Sequence, residues 1–306
     1  MELDFIRWLR EQLPSYPQVP VGIGDDAAIL RLSEDHRCVV TSDTLMDGVD
    51  FRLNESDPKR IGRKALAVNL SDLAAMAARP VAASIALVLP ERNGRSLAES
   101  LFEGMIPLAK QFEVAIAGGD TNSWNGPLVI SVTAIGEVSE DRAWGRSNAQ
   151  VGDEIMVTGE FGGSILNKHF DFEPRVKEAL TLSENYEIHA AIDVSDGLSL
   201  DVWRLTQESS CGAVLDLDAI PISADARERA KSTAATALDH ALSDGEDFEL
   251  VLTVSRETAD QLVGEQPLAV PLTRIGRVVE GHGLWYSQDD GSLARLEPRG
   301  FEHSLN

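Results

Sequence analysis

Residues 190–209 read AAIDVSDGLSLDVWRLTQES: a short apolar strand, an acidic turn closed by Gly197, and then a helix. In the turn, Ser195 or Asp196 is placed to accept the first amides of that helix, as N-cap residues do. The same alternation runs through the rest of the second half. EIMVTG (154–159) begins a strand, helices are expected near Ser164 and over Arg175–Leu182, and AVLDL (213–217) is again a strand. Two further helical stretches lead to FELVLTV, TRIGRVV and LWYS. This pattern predicts helices on one face of a sheet.

Upstream, DRAWGRSNAQVG (141–152) loses all periodicity, and the domain boundary is placed there, giving residues 1–146 and 147–306. The first half opens with Leu3, Ile6, Leu9 and Leu13 at helical spacing, stopped by Pro14. VPVGIG, AAILRL and CVVTSD follow as expected strands. From Pro58 to Ala78, Ile61, Leu66, Leu70 and Leu73 among small alanines predict a buried helix ending before Pro80. SIALVLP and VAIAGG read as strands around a helix over Leu97–Phe112, and LVISVTAIGEV as a long strand. The first half is therefore α+β.

The chain of 306 residues carries 27 Lys+Arg against 50 Asp+Glu, a net charge of −23, which repels a phosphate backbone and argues against nucleic acid as a partner. At 43% hydrophobic and 25% charged it has the composition of packed cores. No stretch approaches the roughly 18–20 uncharged apolar residues of a membrane helix, and MELDFIRWLREQL is charged rather than signal-like, so no membrane partner and a cytoplasmic location are expected. Cys38 and Cys211, far apart in apolar surroundings, are expected as buried free thiols, and the six scattered histidines lack zinc-ligand spacing.

The informative residues are acids at strand ends: Asp25 and Asp26 in GIGDDAA, Asp43 in TSDT, Asp72 in NLSDLAAM, Asp120 in GGDT, Asp193 and Asp196 in DVSDG. Their neighbours are Gly, Ala, Ser and Thr rather than Lys or Arg. Like charges about 4 Å apart cost about 4 kcal/mol at an effective dielectric of 20, so converging carboxylates protonate or bind a cation. Oxygen-only donors select Mg²⁺, Ca²⁺ or Mn²⁺. The glycine clusters GIGDD, AGGDT and TGEFGGS offer bare amides to a phosphate. No P-loop, dinucleotide-binding or protein-kinase signature is present, and only six lysines occur. Arg146 in WGRS is a candidate counter-charge for metal-bridged phosphates. Trp124, Trp144 and Phe301 are candidates for stacking on a substrate ring or for plain packing. Asp47, Asp201 and Asp247 are read as solvent-facing or capping acids.

GIGDDAAIL, TSDTLMDGVDF, KALAVNLSDLAAMAARP, AGGDT, GRSNAQVGDEIMVTG, DVSDGLSLD and SDGEDFEL resemble, in order and spacing, the blocks of the thiamine-monophosphate kinase family over the whole chain. That resemblance implies a two-domain α+β/α/β fold of the aminoimidazole ribonucleotide synthetase-like (PurM-like) type and a homodimer. It implies ATP-dependent, Mg²⁺-assisted phosphorylation of thiamine monophosphate by direct in-line transfer. It places metal ions on Asp26, Thr41, Ser42, Asp43, Asp72, Asp120, Asp193 and Asp196, with Asp43, Asp72, Asp120 and Asp193 central to catalysis. ATP falls to Gly119, Asp120, Arg146 and Ser195, the acceptor substrate to Asp50, Glu246 and Phe301, and Asp25 to a structural role. Two positions depart from the family pattern: Asp50 stands where a histidine is usual, and Asp244 where GGED would have glycine. Both are expected to touch the acceptor side, where a carboxylate repels phosphate. The alternatives are an ATP-dependent cyclo-ligase of the same superfamily and a non-catalytic Mg-ATP-binding homologue.

Overall fold

The computed structural model describes residues 8–9, 11–19, 30–139, 141–288 and 290–302. The chain divides into two compact units, one of residues up to 73 with 78–141, the other of 74–77 with 142 onward. Each carries its own sheet.

In the first unit, β1 (His36–Met46), β2 (Arg79–Pro90), β3 (Ala115–Trp124) and β4 (Val129–Ser139) form a four-stranded sheet in the order β1-β4-β2-β3. All pairings are antiparallel except β2 with β3, which are joined through a helix as parallel neighbours require. Two long helices pack with it, α1 (Pro58–Ala75) and α2 (Gly94–Gln111). α1 is buried nearly all round, with Ile61, Leu66, Leu70 and Leu73 at 0% exposure, which explains its small-residue sequence. Two glycines let α1 and α2 touch backbone to backbone. A Cβ on Gly62 would lie 2.0 Å from the Leu101 carbonyl oxygen, and one on Gly104 would lie 1.8 Å from that of Lys59. α2 contains Pro107, which sequence reading did not mark as helix-internal.

The strands expected over VPVGIG and AAILRL do not appear among the described residues: Val19 and Leu30–Leu32 are irregular, and 20–29 lie outside them. Tyr16, Val19, Leu30 and Leu32 instead pack on Val81, Ala82, Ala115 and Ala117. Of the expected opening helix, Leu3 and Ile6 lie outside the described residues, while 8–9 and 11–12 are helical.

The second unit is built from β5 (Glu154–Thr158), α3 (Lys168–Asp171), α4 (Val176–Asn185), β6 (Ala190–Asp193), α5 (Leu198–Glu208), β7 (Gly212–Leu215), α6 (Ala224–Arg229), α7 (Ala237–Ser243), β8 (Leu250–Val254), α8 (Arg256–Glu265), β9 (Leu272–Val279), β10 (Gly283–Ser287) and β11 (Leu293–Leu296). The helix expected near Ser164 is a 3₁₀ turn over Ser164–Leu166. Helix α8, capped by Ser255, and strand β11 were not read from the sequence. The sheet order is β11-β10-β7-β9-β5-β8-β6. Every residue of β6, β7 and β8 is buried, so these strands are covered on both faces. Leu198, Val202 and Leu205 of α5 and Ala241 and Leu242 of α7 pack on one face with Ile155, Ile192, Ala213 and Val251. Cys211 is buried as expected, whereas Cys38 on the edge strand β1 is exposed.

Candidate active site

The alternation of β1 sorts the acids of the first unit by face. Asp43 is level with Val132 and Ile85, whose side chains are buried. Residues directly opposite on neighbouring strands share a face, so Thr41 and Asp43 point towards the helices. There they meet Asp72 of α1. The Thr41 hydroxyl donates to the Asp72 carboxylate, and Asp43 and Asp72 are hydrogen-bonded to each other. Burial first, then the charge and hydrogen bond of Asp72, and finally the charge of Asp50 push the Asp43 carboxyl up to about 7. Two carboxylates in contact in a partly desolvated place share a proton unless a cation replaces it.

Ser42 and Asp120 lie on the opposite, open face. The Ser42 hydroxyl pairs with that of Thr133 at 3.0 Å, and Asp120 is level with Ala86, Ser131 and Thr44. β1 and β3 are the two outer strands of the sheet, so Asp43 and Asp120 are separated by roughly 14 Å at the usual spacing of about 4.8 Å per strand. Gly119 is at that edge too, where a Cβ would fall 2.0 Å from the Ile85 carbonyl oxygen, so no side chain shields the strand. Asp25 and Asp26 lie outside the described residues.

Asp50 is tied into its own turn. Its Oδ2 accepts the Met46 N–H at 2.7 Å, and its carbonyl accepts from Nζ of Lys64 at 2.9 Å. Lys64 is fully buried on α1, so helix and turn are locked together. Sequence reading did not single out Lys64; a lysine inside an otherwise apolar helix face was the available signal. Asp47 likewise accepts the Leu53 N–H within the loop that follows.

In the second unit, Asp193 ends β6 and is 3% exposed. The helix that follows is capped by the side chain of neither Ser195 nor Asp196, the expected caps. Asp201, one turn into α5, accepts the amides of Asp196 at 3.0 Å and Gly197 at 3.1 Å through Oδ2. Arg204 Nη1 then bridges Asp201 Oδ1, at 2.9 Å, and the Asp196 carboxylate. Asp201 is thus the capping acid of the two expected readings, buried rather than solvent-facing. Arg204 was missed, although its i,i+3 spacing from Asp201 was legible.

The segment Asp244–Glu249 packs against the same loop. The Glu246 N–H donates to the Ser195 carbonyl at 2.7 Å and that of Phe248 to Val194 at 2.8 Å, holding Glu246 (φ 54) and Phe248 (φ 50) in the left-handed region. Asp244 does not act as a free acid beside the substrate position. It accepts from Gly163 N–H at 2.8 Å, Arg229 at 3.1 Å and His240 at 2.9 Å. Asp247 is neither solvent-facing nor a helix cap: it is fully buried and accepts the Gly162 N–H at 2.8 Å. Burial pushes its carboxyl up to about 7. The amides of Gly162 and Gly163 in the TGEFGGS cluster are therefore taken by the chain's own carboxylates and do not await a phosphate. Glu249, 1% exposed, is bound by Thr158, Lys168 and Arg175 at 2.7–2.8 Å, which anchors the segment.

The Phe301 N–H donates to the Asp196 carbonyl at 2.9 Å, and Ser199 clasps both the N–H and the carbonyl of Arg299. Phe301 itself is half exposed. Arg146 is exposed, its carbonyl accepting from Ser209. Trp144 is buried packing, while Trp124 is exposed with its indole N–H on the Pro127 carbonyl. Structure thus joins Thr41, Asp43 and Asp72, with Asp50's field reaching them, and separately Asp193–Asp196 with Glu246 and Phe301.

Among the described residues no three His, Cys, Asp or Glu side chains converge into an all-protein metal cage. The Asp43–Asp72 pair suits Mg²⁺ nevertheless. Magnesium keeps several waters and is bound through one or two carboxylates plus substrate phosphates, and the donors here are all oxygen.

Residues 24–138 match the family model of the AIR synthase related protein N-terminal domain and residues 145–285 that of the C-terminal domain. The chain is 44% identical over 310 aligned residues to the thiamine-monophosphate kinase of Rhodopirellula baltica, covering 99% of this chain and 97% of that protein. Among solved structures, thiamine-monophosphate kinase from Stenotrophomonas maltophilia superposes with a TM-score of 0.80 at 38% identity, covering 95% of this chain and 96% of the other. AaThiL complexed with AMPPCP and TMP superposes with a TM-score of 0.78 at 27% identity, covering 99% and 96%. With these matches spanning both units, the chain belongs to the thiamine-monophosphate kinase family, built on the two AIR synthase related domains.

Proposed function

We propose that this chain transfers the γ-phosphoryl group of ATP to thiamine monophosphate, giving thiamine diphosphate and ADP. A phosphate oxygen of thiamine monophosphate bonds to the γ-phosphorus while the bond from that phosphorus to the β-bridging oxygen breaks, so no covalent enzyme intermediate is needed. The acceptor phosphate has a second pKa of about 6 and is largely ionised near neutral pH, so no strong base is needed either. The remaining obstacle is bringing two anions together on a chain of net charge −23. When bound, Mg²⁺ supplies charge neutralisation and alignment of the phosphates.

The observation that carries this reading is the Thr41–Asp43–Asp72 constellation, in which two mutually repelling carboxylates are held in contact in a partly desolvated place. We assign Asp26, Thr41, Ser42, Asp43, Asp72, Asp120, Asp193 and Asp196 to metal ions. Gly119, Asp120, Arg146 and Ser195 are assigned to ATP, and Glu246 and Phe301 to thiamine monophosphate. Asp50 remains at the acceptor position with its carboxylate turned onto the Met46 amide, which reduces its repulsion of phosphate. The partners satisfying Asp244 support the same substrate in spite of the altered motif.

A homodimer completes this reading. Asp43 and Asp120 sit on opposite outer strands and opposite faces, so one sheet does not present both to one ion. From Ser42 to Met46 on β1, and across the strands level with them, the open face carries hydroxyl-bearing, small and apolar residues and Asn122, with Asp120 as its one charged side chain among the described residues. A second copy of this chain fits such a face. Free Cys38 and Cys211 suit a reducing, cytoplasmic compartment, and no helix among the described residues is long and apolar enough to cross a membrane.

The test offers Mg-ATP with thiamine monophosphate, thiamine or formylglycinamidine ribonucleotide to the purified protein and follows ADP release. Turnover with thiamine monophosphate alone is expected. Turnover with the ribonucleotide alone would replace this reading with a cyclo-ligase.

A further inference from the structure

Arg204 touches both the clamp of the DVSDG loop and the loop's own carboxylate. Its Nη1 donates to Asp201 Oδ1 at 2.9 Å and to Asp196 Oδ2. The two partners differ in burial: the Asp201 side chain is 1% exposed, the Asp196 side chain 28%. Asp201 is fixed, because its other oxygen holds the amides of Asp196 and Gly197. Asp196 is the partner that solvent reaches. The guanidinium therefore has a permanent anchor and an exchangeable one, and Asp196 can leave it without Arg204 losing all its counter-charge.

We propose that Arg204 is a positioning residue that stands in for a cation at Asp196: it aligns the carboxylate when no metal is bound, and a metal ion arriving there must take Asp196 away from it. This inference rests on the assignment of Asp196 to a metal ion. It makes a prediction opposite to that of a simple scaffold. Removing the guanidinium lowers the stability of the metal-free protein, yet strengthens the response to Mg²⁺, because a competitor and a like charge have both gone.

The experiment is thermal melting of the full chain in EDTA and along a Mg²⁺ titration with the non-hydrolysable ATP analogue AMPPCP, for wild type, Arg204→Gln, Arg204→Lys and Asp196→Asn. A partly exposed ion pair sets the size of the effect, so Arg204→Gln is expected to lower the half-saturating Mg²⁺ about two- to fivefold while melting earlier in EDTA. Arg204→Met carries the same expectation should the Gln variant fail to fold. Arg204→Lys, which restores the charge, is expected to return the midpoint to within about twofold of wild type. Asp196→Asn is expected to weaken the Mg²⁺ response. If Asp196→Asn weakens it but Arg204→Gln and Arg204→Met leave the midpoint unchanged or raise it, Arg204 is only a scaffold and the inference fails alone. If Asp196→Asn leaves the response unchanged, the assignment of Asp196 to metal falls and the inference falls with it.

Discussion

Replacing Asp72 by asparagine separates function from stability in this chain. Burial and the neighbouring Asp72 push the Asp43 carboxyl from 3.8 up to about 7, so keeping both carboxylates ionised costs on the order of a few kcal/mol. Burial is the first cause and survives the substitution; the charge and hydrogen bond of Asp72 are the second and third and do not. Relief of that repulsion is expected to stabilise the metal-free protein by at most about 1 kcal/mol, since the Thr41 hydroxyl still finds an oxygen on the asparagine amide. For a unit of this size that is a rise in melting temperature of about 2–4 °C. Turnover moves the other way. Losing one of two carboxylates in a Mg²⁺ pair is expected to cut kcat at least about 100-fold, about 2.7 kcal/mol of transition-state stabilisation. The assays are coupled ADP release under saturating Mg-ATP and thiamine monophosphate, and differential scanning fluorimetry in EDTA. Turnover within tenfold of wild type would remove Asp72 from the catalytic set, and a fall of several degrees in melting temperature would make it a structural residue.

Gly104→Ala puts a methyl group 1.8 Å from the Lys59 carbonyl oxygen and forces α1 from α2; a loss of about 2–4 kcal/mol is expected in urea unfolding, and a neutral result would show that the helices can part freely. Asp244→Gly restores the family glycine but strips the acceptor from the Gly163 amide, Arg229 and His240. It is expected to cost about 1–3 kcal/mol of stability while the KM for thiamine monophosphate stays within twofold, and a tenfold KM change would put Asp244 at the substrate after all. Asp247, raised from 3.8 to about 7, binds in the folded state a proton that the unfolded chain has released. Its contribution is therefore fully present below pH about 4 and is lost as pH rises through 7, a change on the order of a few kcal/mol. Wild type is expected to lose more stability between pH 5 and pH 8 than Asp247→Asn; equal losses in chemical denaturation would show that Asp247 does not titrate in this window.

Much of the fold was legible because its elements are locally consistent. The buried helix around NLSDLAAM, the strand LVISVTAIGEV and the strand–turn–helix at 190–209 appear within a few residues of where periodicity puts them. What failed depended on distant neighbours. Leu30 and Leu32 have a strand's composition, but Val81 and Ala115 take them up as packing for an irregular segment. Helices were expected on one face of the second sheet, but alternation of elements along a chain does not say what covers the other face of β6, β7 and β8, which are buried throughout. The acids of the site were visible as carboxylates in small-residue surroundings. Their division was not: period-two alternation sends Asp43 inward and Ser42 outward, and only the strand order puts Asp120 at the far edge. Glycine clusters misled for a related reason, since the amides of Gly162 and Gly163 meet carboxylates some 80 residues away in sequence.

Direct phosphoryl transfer to an acceptor phosphate can be followed by ³¹P NMR of the purified protein with Mg-ATP and thiamine monophosphate. Thiamine diphosphate and ADP should appear in equal amounts with no inorganic phosphate. ADP accompanied by inorganic phosphate, with thiamine monophosphate unchanged, would show that water and not thiamine monophosphate is the acceptor.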